Sequence, residues 1–257
     1  MSYSISVVIT TYNSTKYITK TINSVLEQTL APNEIIIVDD NSSDQTNLVN
    51  IIKEIKEKKF QKINLFLNKK NYGPGFNRNL AWDNCKTDLI AFLDDDDIWY
   101  KKKLELQLKI FKKNKNTQLV ASKKKMLKYN KFKFNFRNKN ISIITFTSLI
   151  FKNFIPTSSV IVRANINERF LNQYFAEDYY LWLIILKKFK FCYFINDFLC
   201  EEFQVNKQNK LSNNTQLLNK GVQNTLNLFY TRNLFNNLLV SFAKLYYYLK
   251  MVTKLVF

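Results

Sequence analysis

Three short runs, apolar on both faces and rich in β-branched residues, punctuate the N-terminal part of the chain: "ISVVITTYN" at 5–13, "EIIIVDDNSSDQT" at 34–46 and "DLIAFLDDDDIW" at 88–99. Such a run cannot leave one side to water, so it must be a strand covered on both faces, the setting of a parallel sheet. The segments between them read as helices. From Ser14 to about residue 28, Tyr17, Ile18, Ile22, Val25 and Leu26 fall at helical spacing, with Ser14 or Thr15 as N-cap. A second amphipathic helix covers about 45–58, "INLFLN" at 63–68 is a further strand, and "NYGPGFNRNLAWDNC" at 71–85 is a loop that opens a helix. This alternation predicts an α/β layer with a mainly parallel sheet. Ligands of open α/β sheets gather outside the carboxyl ends of the strands, so the polar and acidic ends of the runs should converge on one edge.

Beyond residue 100 the pattern changes. A Lys-rich amphipathic helix is expected over 101–113, short strands over 119–150, and a loop followed by a strand in "NFIPTSSVIVRANI". "RFLNQYFAEDYYLWLIILKKF" places a turn before a strongly apolar helix with Glu177 and Asp178 in its first turn, where the helix dipole favours acids, as it would for a simple cap. From about Leu217 the chain reads as helical to its end. Phe235, Leu238, Phe242, Leu245, Leu249, Val252 and Val256 repeat at spacings of three and four, with Lys244, Lys250 and Lys254 on the other side. The lysines keep any run below the length of a membrane span. A basic amphipathic helix lying on an anionic leaflet and a helix packed on the domain or a partner both fit.

Composition excludes whole classes of chemistry. The 257 residues contain no histidine, which rules out a Ser-His-Asp or Cys-His nucleophile and a zincin site. Proton transfer then falls to carboxylates, and a metal site would hold a hard cation through oxygen. Cys85, Cys192 and Cys200 are odd in number and lack metal spacing, which fits a reducing compartment. The first strand starts almost at once, without a basic n-region or small-residue cleavage site, so a cytoplasmic protein is expected. The net charge of +19 is uneven: residues 101–139 carry fifteen Lys or Arg against the single acid Glu105. An anionic surface, nucleic acid or a membrane leaflet, would match that clustering, although Lys and Asn are abundant throughout.

The four aspartates of "LDDDDIW" repel one another, and three readings compete. A solvated acidic turn fits poorly behind a buried strand and before Trp99. A haloacid-dehalogenase-type phosphatase wants Thr or Val two places after its second Asp, on the first strand, whereas here Ile98 holds that place on a later one. A divalent cation shared between carboxylates and a diphosphate would offset the repulsion from both sides.

Six segments in order, "SVVITTYN", "EIIIVDDNSSDQT", "NYGPGFNRN", "DLIAFLDDDDIW", "PTSSVIVR" and "FAEDYYLWL", make the chain resemble a family 2 glycosyltransferase of the GT-A fold, the type found in bacterial polysaccharide and lipopolysaccharide assembly. The resemblance implies a Rossmann-like, mainly parallel sheet flanked by helices, with a helical C-terminal extension. It implies a nucleotide-sugar-binding half at 1–100, an acceptor-binding half at 101–205 and a basic amphipathic tail at 206–257. Thr10 and Tyr12 would line the nucleotide pocket, Asp40 would hydrogen-bond a uracil base, and Arg78 would approach the nucleotide or the local acids. Asp94 and Asp96 match the family's Asp-x-Asp, with Asp96 the direct ligand of Mn2+ or Mg2+. Asp95 would touch the ribose or donor sugar, and Asp97 would support the site. Asp178 matches the general base, with Glu177 beside it and Trp182 as a possible acceptor platform.

The expected activity is inverting, metal-dependent transfer of one sugar from a nucleotide sugar, a UDP-sugar, to a saccharide or lipid-linked acceptor. The Gln-x-x-Arg-Trp motif and membrane spans of processive synthases are absent from the sequence. The expected location is peripheral, on the inner face of the cell membrane, with no nucleic acid as partner. A basic nucleic-acid-binding protein and a hydrolase of nucleotide sugars are the alternatives.

Overall fold

The computed structural model describes residues 3–126, 141–203 and 214–256, with side chains to Val252. The three apolar runs become β1 (Ile5–Thr11), β2 (Glu34–Asp39) and β4 (Leu89–Asp94). With β3 (Ile63–Leu67) they pair in parallel in the order β3-β2-β1-β4. Helices α1 (Thr15–Leu26), α2 (Gln45–Lys58) and α3 (Pro74–Asp83) make the crossovers. Successive side chains of a strand point to opposite faces. Val7, Ile9, Ile35, Ile37 and Leu93 therefore enter one core with Ile18, Ile22 and Ile52, while Val8, Ile36, Ile90 and Phe92 enter the other with Trp82 and Trp182. Two cores against one sheet are why the runs carry no polar alternation.

The rest of the chain extends the sheet from β4. The short strand β5 (Asp97–Trp99) follows the aspartates, then α4 (Lys103–Lys113), β6 (Leu119–Lys125), β7 (Ile141–Thr145) and α5 (Phe146–Leu149). A 3-10 turn at Thr157–Ser159 leads into β8 (Ile161–Arg163), followed by α6 (Glu177–Phe189) and β9 (Phe191–Glu202). The strand order continues β4-β8-β6-β9-β5, with β7 also on β9. Of these pairings β6 with β9 is parallel and the others antiparallel, so the sheet is parallel from β3 to β4 and mixed beyond.

Three places differ in detail from the sequence reading. The stretch 119–150 holds two strands and a short helix, and its part at 127–140 lies outside the described residues. β5 and β9 escaped the sequence reading: one is only three residues long, and the other, "FCYFINDFLCEE", mixes apolar, amide and acidic residues without clean alternation. The C-terminal segment is two helices, α7 (Thr215–Asn227) and α8 (Leu234–Val256). Asn236 and Asn237 close the break by donating to the carbonyls of Phe229 and Thr231.

The face that packs α8 on the domain is also unexpected. Val240 and Ala243 are fully buried, and Tyr247 accepts a bond from the Asn153 amide at 2.9 Å. The stripe picked out by periodicity faces outward, with Phe235 75% and Phe242 61% exposed. Small residues let the helix approach closely, while the bulkier ones remain outside. Lys254 and Val256 lie outside the described side chains. Among the described residues no helix is long and apolar enough to cross a membrane.

Candidate active site

Parallel register brings the chemistry to one edge. Thr10 stands opposite Asp94 across β1 and β4, and Thr11 opposite Asp39 across β1 and β2. Just past β1, Tyr12 is exposed, and its amide donates to the Asp95 carboxylate at 3.1 Å. Thr21, fully buried on α1, donates to the carbonyls of both Asp95 and Asp97 at 2.8 and 3.0 Å, which holds the aspartate turn against the helix.

The acids that end β2 divide their work. Asp39, which the sequence reading passed over, accepts from the Ser42 amide and hydroxyl and from Gln45, closing the turn into α2. Asp40 accepts from Asn68 at 3.1 Å and from the amides of Tyr72 and Gly73 at 2.8 and 2.9 Å. It thereby fastens the loop whose Tyr72 stacks on Phe76 with ring centres 4.4 Å apart.

Arg78 joins the two halves. From α3 it donates to Asp94 at 2.8 Å and to Glu177, at the start of α6, at 2.6 Å. It lies over the Phe170 ring and is almost fully buried. Burial alone would raise the Asp94 carboxyl, but Arg78 and Lys124 beside it hold it below the ordinary value. Glu177 is pushed up to about 7 by burial, with Asp178 adding to the effect against Arg78. Burial also raises Asp178, whose carboxylate accepts from the Thr157 hydroxyl at 3.1 Å and the Tyr179 amide at 2.6 Å.

Asp97 is enclosed completely. Lys124 of β6 donates to it at 2.5 Å, and Ser158 donates to the same oxygen. Its other carboxylate oxygen is buried without a hydrogen-bond partner. Burial, with Asp94 and Asp96 close by, shifts Asp97 upward despite Lys124. Ser158 Oγ also accepts from the Asp94 amide at 3.1 Å. The turn at Thr157–Ser159 thus touches both the aspartate cluster and Asp178. The motif "PTSSVIVR" carried that signal, whereas nothing in the run "KKK" singled out Lys124.

Among the described residues no three His, Cys, Asp or Glu side chains are gathered closely enough to hold a metal unaided. The donor set is nonetheless carboxylate oxygen, and a hard divalent cation takes one or two carboxylates when substrate phosphates complete its shell. The oxygen donors of Asp94 and Asp96 at the end of β4 are of the chemical type that such a cation takes. Trp182 does not serve as a platform for an acceptor. It is fully buried against Phe92 and Phe170, a place its position on the apolar face of α6 demands.

Comparison with known proteins bears on the family and the fold. The model of the family described as "Glycosyl transferase family 2" matches residues 6–171. The chain is 32% identical over 214 residues to the Escherichia coli UDP-Glc:alpha-D-GlcNAc-diphosphoundecaprenol beta-1,3-glucosyltransferase WfgD, a match covering 82% of this chain and 81% of that one. The putative teichuronic acid biosynthesis glycosyltransferase TuaG of Bacillus subtilis is 40% identical over 104 residues, 40% of either chain. Among solved structures, S. aureus TarS 1–349 in complex with UDP-GlcNAc superposes with a TM-score of 0.70 at 19% identity, over 92% of this chain and 70% of that one. With its strand-end carboxylates, its GT-A-like sheet and a family match across most of its length, the chain belongs to glycosyl transferase family 2.

Proposed function

We propose that the protein transfers a single sugar from a UDP-sugar to a saccharide or lipid-linked acceptor, with inversion at the anomeric carbon and with a divalent cation. The observation that carries this reading is the Arg78 bridge, which sets the aspartates at the end of β4 against the α6 terminus bearing Asp178. The named substrates of WfgD and the UDP-GlcNAc complex of TarS support a UDP-sugar donor, and WfgD supports a lipid-linked acceptor. TuaG, named for teichuronic acid biosynthesis, supports a place in polysaccharide assembly, and the sequence motifs extend that reading to lipopolysaccharide.

Residues 1–100 form the donor half, with Thr10, Tyr12, Asp40 and Asp95 toward the nucleotide and sugar, and residues 101–205 form the acceptor half. Asp178 accepts the acceptor hydroxyl's proton as that oxygen bonds to the anomeric carbon from the face opposite the diphosphate. The bond from that carbon to the diphosphate oxygen breaks, and UDP leaves with the electron pair. Asp96, with Asp94 beside it, would hold Mn2+ or Mg2+, which when bound would supply charge neutralisation for a departing diphosphate. Thr157 orients Asp178, and Arg78 keeps Glu177 and Asp94 from repelling each other. The outward apolar stripe of α8 and the basic composition support a peripheral position on the anionic inner face of the cell membrane.

The test is UDP release and product formation with a panel of nucleotide sugars, with Mn2+, Mg2+ or chelator, and with and without lipid-linked acceptors. Release that requires acceptor and metal, and an inverted anomeric configuration by NMR, are expected. Turnover that survives both Asp96→Ala and Asp178→Ala would falsify the mechanism.

A further inference from the structure

The family-model match ends at residue 171, before the first turn of α6, so nothing in it accounts for how Asp178 is held. The residue before that turn, Ala176, is in the left-handed region at φ 59°, a conformation that a non-glycine residue keeps only when its surroundings impose it. Part of those surroundings comes from α7. Gly221 lies against the backbone of Phe175 so closely that a Cβ there would stand 2.6 Å from the Phe175 carbonyl oxygen and 2.7 Å from its Cβ. One turn later the fully buried Thr225 donates its hydroxyl to the Ala176 carbonyl at 3.3 Å and accepts from Gln173 at 3.1 Å. The Ala176 carbonyl also accepts the Tyr180 amide, the first helical bond of α6. Residues 173–176, which set the direction in which α6 begins, are thus clamped from the far side by one face of α7.

We propose that Gly221 and Thr225 are positioning residues for the base, so that α7 is part of the catalytic apparatus and not only of a surface-binding tail. This rests on the reading of Asp178 as the base. The α7 clamp is separate from the donor half's own hold on the same segment, in which Tyr174 donates to Asn71 at 2.9 Å. Loosening it therefore moves the base relative to the acceptor hydroxyl while donor binding stays intact, and misplacement by about an ångström can cost on the order of a hundredfold in rate.

The experiment compares the full-length wild type with Thr225→Val, Thr225→Ser, Gly221→Ala and Asp178→Ala, reading kcat, the KM for UDP-sugar, UDP affinity by calorimetry and melting temperature. Thr225→Val and Gly221→Ala are expected to lower kcat by about tenfold or more with UDP affinity within about twofold of wild type, and Thr225→Ser to restore most of kcat. If Asp178→Ala abolishes turnover while Thr225→Val and Gly221→Ala, folded, retain wild-type kcat, the clamp is overturned and the base stands. Loss of kcat in step with UDP affinity would equally overturn it, as a general effect on folding. Turnover that persists in Asp178→Ala would remove the base assignment and the clamp with it.

Discussion

Arg78 and Lys103 are both basic and buried, but their surroundings give them opposite charge preferences. Arg78 has Asp94 and Glu177 on its guanidinium, and they hold it charged despite burial. Arg78→Met would leave the buried Glu177 without its cation and the partly exposed Asp94 with Lys124 alone, so a loss of about 3 kcal/mol of stability, the low end for breaking a buried pair, is expected in chemical denaturation. Arg78→Lys should recover only part of it, because a point charge cannot fork between two acids. Among the described residues no acid forms an ion pair with Lys103. It donates to Gln107 at 2.7 Å and lies 4.1 Å from the Trp99 ring centre, and burial pulls its amine down to about 7. The folded state therefore binds fewer protons than the unfolded state between about pH 7 and the free-lysine value of about 10.4, and stability rises with pH through that window. Thermal melts of wild type should climb across it relative to Lys103→Met; parallel curves would refute the assignment. At the active site, Asp178→Asn is expected to cut kcat by about 10²–10⁴-fold with little change in donor KM, measured by UDP release. The sequence, through its resemblance to the family, singled out Asp94, Asp96 and Asp178 at a strand end and a helix start. It counted Lys103 among surface cations, because a lysine's burial depends on what the fold lays over it.

At the scale of elements, α3 and the segment at 170–171 form a joint close to the site. A Cβ on Gly75 would lie 2.0 Å from the Leu171 carbonyl oxygen, and Asn79 exchanges two hydrogen bonds with the Phe170 backbone. Gly75→Ala must push that backbone away and shift Arg78, one turn along. Urea unfolding should show a loss of at least about 1–3 kcal/mol, the range for overpacking. The N-terminal strands and helices were legible because each buries through its own local pattern. β9 was not, since its partners β5, β6 and β7 come from far along the chain and supply the burial that its composition does not announce.

On the scale of the whole molecule, the domain has one outward face that is both apolar and embedded in a basic chain. Leu234, Phe235, Leu238, Phe242, Leu245 and Leu249 of α8 are all at least half exposed or nearly so, while the opposite side of the helix packs on the core. Because α7 braces the base-bearing segment, deleting both helices would confuse membrane affinity with catalysis. Replacing Phe235, Leu238 and Phe242 by Ser leaves α7 in place. Partition to anionic vesicles should fall at least tenfold, since each side chain would bury apolar surface worth on the order of 1 kcal/mol or more. Cosedimentation would measure it, and partition equal to wild type would remove the membrane contact. Raising salt should weaken binding further if the basic residues contribute.

By itself the sequence determined the parallel α/β layer, the edge where the carboxylates meet and the family, because doubly buried strands and strand-end acids are local patterns. It also determined that α8 is amphipathic. Only the tertiary structure decided which face of α8 packs, which cation neutralises which acid and what holds Asp178. Arg78 meets Glu177, and Lys124 meets Asp97, across long stretches of chain. With 39 Lys and Arg against 20 Asp and Glu, no local pattern can choose those partners; packing geometry does.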